Sequence, residues 1–123
     1  MDLKKLAARL IPDEDLPSLS DCERAYPPRS LPDGAEVTRL APSPTGFIHL
    51  GNLYSALADE RAAHTTGGVF YLRIEDTDEK RRVEGAVESV IRSLKYFGVD
   101  FDEGAEIDGE NAYGPYYQRR RAQ

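Results

Sequence analysis

Between Arg39 and Asn52 the chain reads Arg-Leu-Ala-Pro-Ser-Pro-Thr-Gly-Phe-Ile-His-Leu-Gly-Asn, a stretch suited to holding a polyanion. Pro42 and Pro44 stiffen the backbone, and Gly46 and Gly51 let it approach a ligand closely. The helix expected next presents free amides and a partial positive charge at its first turn, which suits phosphate. A second charged string, Leu72-Arg73-Ile74-Glu75-Asp76-Thr77-Asp78, lies further on. Taken singly, its residues mean less. His49 alone reads as a cap or packing residue of a proline-rich crossover, and Thr77 or Asp78 reads as the cap of a helix beginning near Lys80.

The elements that must position these residues follow from periodicity. Glu36–Leu40 has β-branched and apolar content after a Pro-Asp-Gly turn signal and stops at the prolines, which predicts a strand. From about Asn52 to His64, Leu53, Ala56, Leu57 and Ala63 supply the apolar face of a helix that Gly67-Gly68 ends. Val69–Ile74 is mostly apolar, as in a strand buried on both faces of a parallel sheet. Val83, Val87, Val90, Ile91, Leu94 and Phe97 form the stripe of the clearest helix, stopped by Gly98. Strands alternating with helices predict an α/β fold, with Val37–Phe97 a right-handed unit of two adjacent parallel strands. Both charged strings then fall at the carboxyl edge of the sheet, where ligands bind in such folds.

The flanks are less regular. Leu3, Leu6, Ala7 and Leu10 predict a short helix over Asp2–Leu10, and the prolines between Pro12 and Gly34 predict an extended linker. From Gly98 to Gln118 there are six acids and no Lys or Arg, read as a solvated connection. At 123 residues one core is the ceiling, and 40% hydrophobic with 31% charged residues is a globular balance. A net charge of −6 argues against non-specific nucleic-acid binding, so any RNA contact is expected to be local. Cys22 is the only cysteine, which excludes an internal disulfide and a Cys-based zinc site and fits a reducing compartment. Without an apolar run long enough for a signal or a span, a soluble, cytoplasmic protein is expected.

The fourteen residues Arg39–Asn52 together resemble the ATP-binding signature of class I aminoacyl-tRNA synthetases, in the version carried by glutamyl-tRNA synthetases after Ser-Pro-Thr-Gly. Leu72–Asp78 resembles the second signature of that family at the right distance. Gly114-Pro115-Tyr116-Tyr117-Gln118 is similar to its Gly-Pro-Tyr opening of the next helix, although Arg119 stands where the family usually has Ser. Leu31–Ala35 and the N-terminal helix look like the extension of some clostridial-type members, so residues 1–35 are read as an N-terminal extension. The resemblance implies the first half of a Rossmann-like parallel-sheet nucleotide-binding domain over residues 36–123. It also implies roles: Arg39, Ala41, Ser43 and Glu75 toward L-glutamate, and Thr45, Gly46, His49, Gly51 and Asn52 toward ATP. His49 would stand near the α-phosphate, with Gly51 leaving room beside the nucleotide. Glutamate brings two carboxylates and one ammonium, so a site for it needs a cation such as Arg39 and an anion such as Glu75.

The reaction so implied is ATP-dependent activation of glutamate, assisted by Mg2+, and transfer to the 3′ ribose of tRNA(Glu). No Lys-Met-Ser-Lys-Ser-like loop and no second half of the nucleotide fold lie within the 123 residues, so the chain alone is expected to be inactive. Rival readings are a glutamyl-queuosine-type tRNA-modifying synthetase and a truncated, non-catalytic binding module. A glutaminyl enzyme usually has Pro-Glu-Pro-Asn where this loop has Pro42-Ser43-Pro44-Thr45.

Overall fold

A computed structural model describes residues 17–105 and 113–121, together with Lys5 and Arg9. Those two apart, the helix expected over Asp2–Leu10 lies outside the described residues. Within the expected linker stands a helix, α1 (Leu19–Ala25). Ser18 Oγ accepts the Asp21 amide at 3.2 Å while the Ser18 amide donates to Asp21 Oδ2 at 2.9 Å, a capping box. The prolines had pointed to extended chain throughout, but Pro17, Pro27 and Pro28 flank this stretch and none interrupts it.

Three parallel strands, β1 (Val37–Leu40), β2 (Val69–Leu72) and β3 (Glu103–Gly104), form one sheet in the order β1-β2-β3. Val37 faces Val69 and Leu40 faces Leu72, and Tyr71 faces Glu103. Helix α2 (Leu50–Thr65) joins β1 to β2, and α3 (Ala86–Tyr96) joins β2 to β3. Ala56 and Ala63 of α2, Val90 and Leu94 of α3, and Phe70, Leu72 and Ile74 make a single core. The two alanines are completely buried, so their small side chains let α2 lie close to the sheet.

Three expectations need correction. β2 is not equally buried on both faces: Phe70 and Leu72 are buried, whereas Val69 and Tyr71 are half-buried, because the helices cover one side. The stripe before Gly98 is interrupted, since Asp78 caps only a 3-10 turn at Glu79–Arg81 and α3 starts after Gly85, whose φ of 74° breaks the helical path. Val83 and Phe97 therefore fall outside the helix and are exposed. Finally, the acidic stretch is not wholly a solvated connection. The Asp102 amide bonds to Phe70 O at 2.8 Å and the Ala105 amide to Leu72 O at 3.2 Å, with Val99 and Ala105 buried. Glu103 joins the sheet because Arg29 neutralises it through a two-pronged ion pair.

The ladder continues past β2. On one side the Arg73 and Glu75 amides bond to Leu40 O and Pro42 O, each at 3.0 Å. On the other, the Ile74 amide bonds to Tyr116 O at 2.8 Å and the Gln118 amide to Ile74 O at 2.9 Å, leading into α4 (Gln118–Arg121). Among the described residues no helix is long and apolar enough to cross a membrane.

Candidate functional site at the carboxyl edge of the sheet

Parallel pairing puts the carboxyl ends of β1 and β2 side by side, and two of the singled-out residues meet there. Arg39 Nη1 lies 3.1 Å from Glu75 Oε1. Arg73 Nη2 reaches the same oxygen at 2.9 Å. The Arg73 hydrogen bond, with the positive charges of Arg73 and Arg39, holds the Glu75 carboxyl below its usual range against the opposing effect of burial. Glu75 is thus an anion fixed between two cations, at a strand end and still partly open to solvent.

The loop after β1 is tied to the second charged string by its own prolines. Pro42 and Pro44 have no amide to donate, but their carbonyls accept, from Glu75 N at 3.0 Å and Val83 N at 2.9 Å. Pro44 is buried and Ala41 half-buried, while Ser43 and Thr45 are exposed on a turn closed by the Thr45 amide and Ser43 O at 2.8 Å. Gly46 has φ 154° with open space where a side chain would stand.

His49 is the last non-helical residue before α2, and its amide meets Asn52 Oδ1 at 3.4 Å. Its exposed ring folds back over the first turn. A Cβ on Gly51 would lie 3.2 Å from both Cε1 and Nδ1 of the imidazole, so glycine makes the room in which the ring sits. The capping and ligand-facing readings of His49 are therefore compatible. Ser43, Thr45, Gly46, His49 and Asn52 line one cleft of about 220 Å³ together with Val90 of α3. Arg39, Ala41, Gly51 and Glu75 are not in that lining; Arg39 and Glu75 form the neighbouring ion pair. A cleft beside a helix amino terminus, next to paired charges of both signs, can hold a phosphate chain next to a zwitterion.

Two residues of the second string carry contacts that local sequence did not show. Arg73, the one charged residue of the expected Val69–Ile74 strand, has its Nε buried without a hydrogen-bond partner among the described residues. Asp76 is buried and accepts the Arg119 amide at 3.0 Å, while the Arg119 side chain pairs with Glu79 at 2.5 Å. Its partner lies 43 residues away, so no short-range pattern points to it.

Comparison with known proteins follows the same lines. Residues 36–123 match the family described as tRNA synthetases class I (E and Q), catalytic domain. The chain is 62% identical over its whole length to a glutamate–tRNA ligase of Acetivibrio thermocellus, of which it covers 23%. It is 51% identical over 99% of its length to one of Clostridium perfringens, of which it covers 22%. It thus spans about a quarter or less of the curated relatives it matches. A crystal structure of a glutamate tRNA ligase from Elizabethkingia meningosepticum, in complex with its amino acid, superposes with a TM-score of 0.64 at 45% identity, over 69% of this chain and 16% of that one.

Proposed function

From the premise that the chain belongs to the class I tRNA synthetase family for glutamate and glutamine, we propose that it is the first part of the catalytic domain of a glutamate–tRNA ligase. Residues 1–35 are an extension, and residues 36–123 begin the Rossmann-like domain. Because the chain spans so little of its relatives, the reaction is assigned to the full-length protein, acting in the cytoplasm, and not to these 123 residues alone.

The observation that carries the reading is the pairing of Arg39 with Glu75 beside the His49 cleft. An amino acid with two carboxylates and one ammonium satisfies both charges at once. Arg39 takes a substrate carboxylate, Ala41 and Ser43 form the adjoining wall, and Glu75 takes the α-ammonium. ATP lies along Thr45, Gly46, His49, Gly51 and Asn52, its phosphates against the first-turn amides of α2 and accompanied by Mg2+. The α-carboxylate oxygen attacks the α-phosphorus, the bond to the β-phosphate breaks, and pyrophosphate leaves glutamyl-adenylate. The glutamyl group then passes to the terminal ribose of tRNA(Glu). No protein nucleophile takes part; the residues act by positioning and charge.

The test is ATP–pyrophosphate exchange by the full-length protein with tRNA present. Exchange supported by glutamate, and far less by glutamine or aspartate, is expected. Absence of glutamate-dependent exchange would refute the assignment, and glutamyl transfer to a base instead of the 3′ ribose would move it to the tRNA-modifying class.

A further inference from the structure

We infer that Arg73 is a positioning residue for amino-acid binding, holding Glu75 in place while Arg39 leaves it to receive a substrate carboxylate. The inference rests on the reading of Glu75 as the partner of the α-ammonium.

Both guanidinium groups meet Oε1 of Glu75, at 3.1 Å from Arg39 and 2.9 Å from Arg73. Glu75 Oε2 is left without a side-chain donor among the described residues. Arg39 meets Glu75 through Nη1 alone, at a half-exposed position, so an entering carboxylate that takes this guanidinium face-on competes with Glu75 for that donor. Two cations and one anion sum to +1, which matches the −1 of glutamate at neutral pH. The incoming ammonium can then replace Arg39 on Glu75 as one incoming carboxylate takes Arg39, and the net charge of the three side chains with the substrate is zero.

The two arginines are not equivalent in this exchange. Arg39 is 36% exposed and Arg73 only 21%. The Arg73 backbone is fixed to β1 by its amide bond to Leu40 O, and its Nε is buried with no acceptor among the described residues. A buried donor without a partner is unfavourable. The orientation is kept because the other end of the guanidinium meets Glu75, two residues away. Arg39 is the arm that moves, and Arg73 is the support that keeps Glu75 from following it or swinging into solvent.

The experiment measures KM for glutamate and for ATP in the exchange reaction of the full-length protein, with Arg73→Gln, Glu75→Gln and the double variant, and the melting temperature of each. Arg73→Gln is expected to raise KM for glutamate about tenfold, the loss of one charge-assisted bond, with KM for ATP unchanged. Added to Glu75→Gln it should raise KM no further, because its effect passes through that carboxylate. Arg73→Lys, which keeps the charge, should recover most of the affinity. An unchanged KM in Arg73→Gln, or an effect that adds fully to that of Glu75→Gln, overturns the inference. If Glu75→Gln alone leaves KM for glutamate unchanged, the ammonium reading fails first and takes the inference with it. Should Arg73→Gln not fold, Arg73→Lys decides alone: a modest rise in KM that disappears in the E75Q background supports the role, and a rise that persists there overturns it.

Discussion

Arg39 and Glu75 stand 36 residues apart in the chain and 3.1 Å apart in space. The contact exists because β1 and β2 are parallel neighbours in register, so the residues that leave both strands at the same edge converge. It joins the two charged strings in side chains as Pro42 and Pro44 join them in backbone.

The Glu75 carboxyl should titrate below the ordinary glutamate range when followed by carboxyl carbon NMR. Arg73→Gln should raise it more than Arg39→Gln, since the Arg73 hydrogen bond has the largest effect on it. A group lowered in this way contributes stability above its unfolded pKa and loses it as pH falls through the folded value. An ordinary titration in the unmodified chain would contradict the ion-pair geometry.

Gly51→Ala separates the fold from the site. Alanine favours a helix over glycine by about 1 kcal/mol, so the melting temperature should hold or rise slightly. The added Cβ would press on the imidazole at 3.2 Å, and the exposed ring yields by turning away from the cleft. A drop in ATP-dependent exchange by the full-length protein with no loss of stability is the expected pattern; unchanged exchange would show that the ring position does not matter.

The Arg29–Glu103 pair ties the segment after α1 to β3, with Tyr116 Oη donating to the same carboxylate and Arg29 stacked 3.6 Å over the Tyr113 ring. Burial raises the Glu103 pKa, but the hydrogen bonds from Arg29 and Tyr116 outweigh it and hold the group low. Glu103→Gln should cost about 1.5–3 kcal/mol in urea unfolding at neutral pH, the range for hydrogen bonds to a charged group. The sign in pH is fixed by the lowered value. The difference from the unmodified chain is full above the ordinary carboxylate range and shrinks as pH falls through the folded pKa. A difference that does not change with pH would mean that packing, not charge, is lost.

Asp76 and Arg119 make a paired test. Asp76→Ala removes the acceptor of the Arg119 amide and should cost about 1 kcal/mol, as for other lost caps. Arg119→Ser keeps that amide and loses only an exposed ion pair with Glu79, so it should change stability by less than about 0.5 kcal/mol. Thermal unfolding of both variants checks the order; a larger effect from Arg119→Ser would assign the stabilisation to the side chain.

The sequence by itself determined the alternation of strands and helices, because buried strands and helix faces write their periods directly into the order of Val, Leu, Ile and Ala. It also determined the loop from Arg39 to Asn52, where two prolines, two glycines and a histidine in fixed order constrain the backbone locally. The tertiary structure decided what depends on partners distant in sequence. Glu103 entered a strand because Arg29, 74 residues away, neutralises it. The prolines around Ser18 concealed a helix whose cap is only one residue pair. Val83 left its helical stripe because Gly85 adopts a left-handed conformation and the Val83 amide bonds to Pro44 O. Arg39 joined Arg73 on Glu75 only once β2 lay beside β1. Local patterns record short-range packing and backbone preference, whereas a charge is placed by whichever partner the whole chain brings within reach.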